Sequence, residues 1–381
     1  MFSYWEQQSF FIYDHIIVGS GITGLSTAIE LKAAYPADRI LVLERGLIPA
    51  GASTRNAGFA CMGSVTELLA DLETTKERNV VRLFARRKAG LQLLRKRLGD
   101  ERIGYAENGS YELIDKTAKN ALNKIDWLNE LLLPVNNKPS FRLANEKINE
   151  FGFNKNRTEA LIENTCEGEL HTGKMMRALV DYALQQGIEI KTGAQVLRYD
   201  EGSKSVTVMV HNTLSKDNYL LRCRTLVICT NAFAPELMKA VDVVPGRGQV
   251  LVTRPVRGLK FRGIFHMDEG YYYFREVDGR VLIGGGRNTD FEGEKTTAMV
   301  VTEAIQSALE DKLTNIVLPG VKYKVDMRWA GIMAFGKNKK PIIKAFSNRV
   351  FGAFRMGGMG VALGSEVARL LSELHRERAA D

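Results

Sequence analysis

With 381 residues the chain is too long for one ordinary hydrophobic core, and two domains are expected. Its 45% hydrophobic and 25% charged residues exclude a disordered or fibrous protein, and no run approaches the ~20 uninterrupted apolar residues of a membrane helix. The net charge of +9 is scattered; its one local concentration, Arg86-Arg87-Lys88 with Arg95-Lys96-Arg97, falls on a leucine-bearing helical pattern and reads as a solvated helix face rather than a nucleic-acid contact.

Met1 to Tyr13 holds aromatics but no basic stretch and no small-residue cleavage site, so no signal peptide is read. Cys61, Cys166, Cys223 and Cys229 form no C-x-x-C and no metal-ligand cluster, which fits a reducing, cytoplasmic setting. The organising stretch comes next. Asp14 to Val18 runs into Gly19-Ser20-Gly21-Ile22-Thr23-Gly24, a G-x-G-x-x-G, and a helical pattern starts at once, Leu25 to Ala34. Gly19 allows the turn, Gly21 lets a pyrophosphate approach the backbone, and Gly24 lets helix and strand pack closely; the helix N-terminus then faces the phosphates. A second strand, Arg39 to Leu43, ends in Glu44, twenty residues beyond Gly24, where an acid accepts both ribose hydroxyls of a dinucleotide.

Gly51 to Ala60 is small, polar and aperiodic, a loop rich in N–H groups and hydroxyls. Thr66 to Leu98 reads as one long amphipathic helix, and Ile103 to Ile114 as a strand pair around Asn108-Gly109. A helix runs from His171 to about Gln186, followed by short strands at Ile188–Lys191, Val196–Tyr199, Val206–Val210 and Tyr219–Cys229, the last ending in Thr230-Asn231-Ala232. From Val243 the pattern is antiparallel: Val243–Val252, Tyr271–Arg275 and Arg280–Gly286, then a helix near Thr297–Leu313 and a strand Val321–Trp329 leading into Ala330-Gly331. Strand Arg349–Phe354 leads to Gly357-Gly358-Met359-Gly360 and a helix from Val361 to His375, a second glycine-rich turn aiming a helix N-terminus at an electron-rich group.

These segments together resemble the FAD-dependent D-amino acid oxidase family, which includes glycine, sarcosine and γ-glutamylputrescine oxidases. The resemblance rests on Gly19 to Gly24 with Glu44, Gly51 to Gly58, Thr230 to Ala232, Pro245 to Gln249, Trp329-Ala330-Gly331 and Gly357 to Gly364; residues 65–160 add little. It implies an α/β protein: a Rossmann-like FAD-binding domain of the glutathione-reductase or p-hydroxybenzoate-hydroxylase type (1–64, 161–240, 325–381), and an α+β substrate domain on an antiparallel sheet (65–160, 241–324).

By the same resemblance Glu44, beside Arg45, would hold the adenosine ribose. Ala52, Ser53, Thr54, Asn56, Ala57, Gly58 and Phe59 would line the pyrophosphate and flavin, and the backbone of Val196 would touch the adenine. Thr230, Asn231, Ala232, Gly331 and Met356 complete the implied FAD contacts, and Gly357 to Val361 would set N–H groups at the flavin's pyrimidine end. The implied reaction moves a hydride from a carbon bearing a neutral amine to flavin N5, after which the imine hydrolyses; the protein supplies position and local charge, and no single base is needed. The implied partners are a small amine or amino acid and, as electron acceptor, oxygen, a quinone or a protein.

One departure concerns the substrate. In glycine-oxidase-like members an arginine that pairs with the substrate carboxylate follows W-A-G-L; here Ile332 is followed by Met333, a thioether that cannot bind carboxylate. Arg355 is the first candidate to replace that handle, then Arg275 and Arg287. Tyr271 and Tyr273 share one strand face and are set to wall a pocket. Lys337, Lys339 and Lys340 offer a cation near the flavin, though solvated lysines are the commoner outcome; Cys61 suits buried packing better than a covalent flavin link. Two other readings stand beside amine oxidation: an FAD dehydrogenase of 2-hydroxy acids or glycerol phosphate, and a non-catalytic dinucleotide-binding protein.

Overall fold

A computed structural model describes residues 3–380. Two eight-stranded sheets carry the chain. In the first, strand Ile12–Val18 lies between parallel neighbours Ile40–Leu43 and Asn218–Ile228, with Glu189–Lys191 and Val350–Phe354 outside them, also parallel. Ile342–Ala345 closes one edge antiparallel, and the hairpin Ala194–Glu201 with Val206–Asn212 folds onto the start of Asn218–Ile228. A parallel sheet is covered on both faces, so its strands are continuously apolar. Ile17, Val42 and Val227 pack with helices Ile22–Ala34, Thr172–Gln185 and Gly360–Ala380, while Ile16, Val18 and Leu226 pack with the hairpin.

The second sheet runs Val325–Phe335, Val244–Thr253, Arg280–Gly285, Tyr272–Val277, Ile264–Met267, Ser110–Ile114, Ala160–Asn164 and Phe141–Leu143. Its pairings are antiparallel apart from Ile264–Met267 with Ser110–Ile114. Phe265 stacks on Phe274 at 4.6 Å in an aromatic core with Phe153 and Phe261.

Sheet membership shifts the expected domain edges. Ala160–Asn164 and Val325–Phe335 belong to the second sheet, not the first. The expected helix over 66–98 is two, Val65–Thr74 and Glu77–Leu98, broken where Thr75 turns extended. The second buries Leu91, Leu94 and Leu98 in the first sheet's core, while its Val80 and Phe84 enter the second's, so it bridges both. The strand pair expected over 103–114 is half realised: Asp100–Ile103 is a helical turn because Ile103 is drawn into the first core, and Ser110–Ile114 pairs with distant strands. The basic run is not uniformly solvated: Arg87 is buried, and Arg97 pairs with Glu30. Among the described residues no helix is long and apolar enough to cross a membrane, and no His, Cys, Asp and Glu group suits a metal.

Candidate active site

A cavity of about 780 Å³ runs from the carboxyl ends of the parallel strands to the face of the second sheet. At the first end, Gly19, Gly21, Ile22 and Thr23 form its wall with Glu44, Arg45, Ala52, Ser53, Asn56, Ala57 and Phe59. Glu44 is buried; its Oε2 accepts from the Ser20 N–H and hydroxyl (3.2 and 2.7 Å) and its Oε1 from the Gly46 N–H at 2.9 Å. The Ser53 hydroxyl accepts from the Ile22 N–H at 3.0 Å, tying the small-residue loop to the helix N-terminus. That loop is not wholly irregular: Ala52–Arg55 is one helical turn, clamped to the second sheet by Arg55 donating to Ala330 O (3.1 Å) and Trp329 donating to Arg55 O (2.9 Å).

Val196, Thr230, Asn231, Ala232, Gly331, Met356 and the turn Gly357–Val361 complete this half. The Thr230 Oγ1 is buried without a hydrogen-bond partner, and a Cβ on Gly357 would meet nothing within 4 Å, so this wall offers an unused polar atom and open backbone. Four expected contacts stand behind the wall. Ser20 is spent on Glu44; Gly24 packs under the Gly19 carbonyl; the Thr54 hydroxyl donates to Pro49 O at 2.7 Å; Gly58 lies against Leu170 O and Arg275.

Two of the three arginines do not reach the cavity. Arg355 is buried and saturated: its guanidinium donates to Lys340 O, Asn338 Oδ1 and Asp242, because the 336–341 loop folds over it. Arg275 donates to the carbonyls of Ala57, Gly58 and Leu170 and lies 3.4 Å from Glu169, clamping the small-residue loop. Arg287 does face the cavity, with Tyr271, Tyr273 and Met333. Cys61 is also in the wall, its thiol 3.6 Å from the Met359 sulfur and pushed by burial well above its ordinary pKa, so it is no thiolate.

The far end holds charged groups that sequence reasoning missed or set aside. Glu67, Asp71, His266 and Lys339 all line it. Glu67 follows Ser64 as S-x-x-E and reads locally as a helix-cap acid. Instead its Oε1 meets Lys339 (3.2 Å) and Arg87 (3.6 Å), while its Oε2 has no hydrogen bond among the described residues and lies 3.7 Å from where a Gly270 Cβ would sit. Burial works against ionisation of Glu67, but Lys339 and Arg87 outweigh it and hold its pKa below the ordinary value. Lys339, set aside as solvated, also pairs with Asp71 at 2.6 Å.

Burial lowers His266 to a pKa of about 4 and raises Tyr273 to about 12, so both are neutral at pH 7. The buried His266 Nε2 has no hydrogen-bond partner and lies 3.8 Å from Glu167, which burial raises to about 7 against the N–H groups of Met62 and Gly63 and the Ser110 hydroxyl. Between pH 4.5 and 7 the folded protein keeps a proton on Glu167 that the unfolded chain has released. That contribution to stability is whole below pH 4.5 and falls by about 3 kcal/mol as the pH rises to 7. His266 acts oppositely: from pH 6.5 down to about 4 the unfolded chain gains a proton that the fold refuses, so stability is lost as pH falls. Glu167→Gln removes the first effect only. Its stability relative to the parent is expected to rise by about 3 kcal/mol from pH 4.5 to 7 in urea titrations; a difference that stays constant contradicts the assignment.

A glycine-bounded cavity at the carboxyl edge of a parallel sheet, closed by a second sheet bearing charged side chains, defines a dinucleotide-dependent enzyme of α/β class. The family model for DAO, FAD dependent oxidoreductase, matches residues 14–374. The chain therefore belongs to the DAO family of FAD-dependent oxidoreductases, and FAD is its cofactor. It is 24% identical to the γ-glutamylputrescine oxidoreductase of Escherichia coli, covering 95% of this chain and 83% of that one. It is 23% identical to the L-2-hydroxyglutarate dehydrogenase of Escherichia coli, covering 80% and 73%. The crystal structure of glycine oxidase from Geobacillus kaustophilus superposes with a TM-score of 0.76 at 20% identity, covering 96% and 95%.

Proposed function

We propose that this protein oxidises the C–N bond of an amine or amino acid. The observation that carries the reading is Glu67: a carboxylate that lines the cavity, with one oxygen free of hydrogen bonds among the described residues and a pKa held below the ordinary value. Such a group accepts an N–H hydrogen bond, favours a cationic or neutral amine, and repels a second carboxylate.

FAD fits the residues present. Gly19, Gly21 and Ile22 with Ser53 would hold its pyrophosphate, Glu44 its ribose, Val196 its adenine, and Thr230 with Gly357 to Val361 its ring system. Bound there, FAD supplies the two-electron acceptor for a hydride leaving the substrate carbon. Tyr273 and Phe59, in edge contact at 5.4 Å, and Met333 exclude water from the reacting carbon. Glu67 orients the nitrogen, and Lys339, held by Asp71, keeps Glu67 charged.

Of the groups around the proposed nitrogen site, Glu67 stays ionised, His266 titrates near 4 and Tyr273 near 12, so none of these three is a strong base near neutrality. Deprotonation of the amine then falls to solvent. We expect kcat/KM to rise with pH along the substrate's own amine pKa, and changing the amine to move that inflection; an inflection fixed across amines contradicts this. Glu67→Gln is expected to lower kcat/KM for amines about 100-fold, the loss of one charge-assisted bond of ~2–3 kcal/mol, with FAD content intact. Unchanged kcat/KM would rule Glu67 out as the amine's anchor. A second reading, oxidation of a 2-hydroxy acid, draws on Met333 and on the hydroxyglutarate dehydrogenase relative; it gives the Glu67 carboxylate no nitrogen to orient.

A further inference from the structure

We propose that Glu167 is a redox-linked proton site: it takes up a proton when the bound FAD is reduced, and His266 with one buried water connects it to the cavity. The proposal concerns the cofactor and stands whether or not the substrate is an amine.

Glu167 lies one layer behind the cavity wall. Its carboxylate accepts from the N–H groups of Met62 and Gly63 and, at 2.7 Å, from the Ser110 hydroxyl. Those two N–H groups follow Cys61, which is in the wall with its thiol 3.6 Å from the Met359 sulfur. Met359 belongs to the turn Gly357–Val361 that would face the flavin ring. On its other side Glu167 meets His266, which lines the cavity. The buried His266 Nε2 has no hydrogen-bond partner among the described residues and is 3.8 Å from Glu167 Oε2, too far for a direct bond. Both side chains also line a second cavity of about 10 Å³, with Ser110 and Asn164, which is room for a single water. A water there bonds to both groups and gives the imidazole nitrogen its partner.

A hydride arriving in the cavity brings one negative charge with its electron pair. A carboxylate nearby then becomes costlier to ionise, and a proton from solvent, forming the Glu167 O–H bond, cancels the added charge. The other groups packed around this point are committed. Glu67, from helix Val65–Thr74, is held ionised by Lys339 and by Arg87 of helix Glu77–Leu98, and Asp71 pairs with the same lysine. Burial keeps the Cys61 thiol and the Tyr273 phenol protonated and His266 neutral. The Tyr111 hydroxyl accepts from Lys147, and Glu169 meets Arg275. Glu112 has its oxygens on the N–H groups of Val65 and Thr66, at a helix start, and on the Thr66 hydroxyl. Burial outweighs the three hydrogen bonds of Glu167 and raises it to about 7, so a modest added field moves its proton.

The test reads potential rather than turnover. The midpoint potential of the FAD-loaded protein is followed by spectroelectrochemistry with redox dyes and no substrate, from about pH 6 to pH 9. One extra proton per two electrons adds about 30 mV per pH unit, a tenfold change converted for a two-electron couple. Around pH 7 the parent's potential is expected to fall with pH more steeply than that of Glu167→Gln, by up to that amount, and the two lines to run parallel near pH 9. Glu112→Gln is expected to follow the parent. Infrared difference spectra of the parent on reduction, near pH 7.5, need no variant: a carboxylic acid C=O band that shifts in deuterium oxide appears as a carboxylate band is lost. Parallel lines for parent and Glu167→Gln throughout overturn the proposal. So does loss of the steep segment in Glu112→Gln with its retention in Glu167→Gln. Should Glu167→Gln fail to fold or to hold FAD, an infrared difference without any carboxyl change overturns it equally.

Discussion

Gly24→Ala is expected to give a protein that purifies without FAD and melts roughly 4 °C below the parent, a loss of about 3 kcal/mol. The cause is a single close approach. A Cβ on Gly24 would lie 1.9 Å from the Gly19 carbonyl oxygen and 3.4 Å from the Cys229 Cβ. The near atom is backbone, so no rotamer change relieves the clash. Helix Ile22–Ala34 must lift from strand Ile12–Val18, and Gly21 and Ile22, which line the cavity, move with it. Full FAD occupancy with an unchanged melting temperature would contradict the packing described here.

Arg355→Met is expected to destabilise the protein by about 2–3 kcal/mol while leaving carboxylate affinity where it was. Removing this guanidinium strands Lys340 O, Asn338 Oδ1 and the Asp242 carboxylate, which share it. Losing one partner of a buried pair costs ~3–5 kcal/mol; Asp242 is about one-third exposed at 35%, which reduces that figure. Lys339 sits on the loop that Arg355 pins, so the KM for an amine should rise as the Lys339–Glu67 contact loosens. Arg355→Lys keeps the charge but not the fork, and should recover less than half of the stability. A fall in carboxylate affinity for Arg355→Met, with the melting temperature unchanged, would restore Arg355 as the substrate handle.

The contrast between Arg355 and Arg287 illustrates what the sequence makes readable. The first-sheet end of the cavity is legible in sequence because its geometry is local: turn, helix N-terminus and acid follow one another within one β-α-β unit. The second-sheet end draws on residues brought together from distant parts of the chain. Glu67 looks like a first-turn helix acid until Lys339, 272 positions away, is placed against it. His266 lies on the four-residue strand Ile264–Met267, buried along its whole length and so without the alternation that marks a strand. Arg355, followed by Met356-Gly357, resembles a substrate handle in sequence, and only the fold brings Asp242 and Lys340 over it. The long helix over 66–98 failed for a related reason: Thr75 breaks a pattern whose apolar positions serve two different cores.

Anaerobic mixing of the FAD-loaded protein with a panel of amino acids, N-methyl amino acids, amines and 2-hydroxy acids tests the central claim most directly, with the flavin's visible absorbance as the readout. Bleaching by an amine or amino acid is expected, with one imine-derived carbonyl product per flavin reduced. Bleaching by 2-hydroxy acids alone, with every nitrogen compound inert, would contradict it.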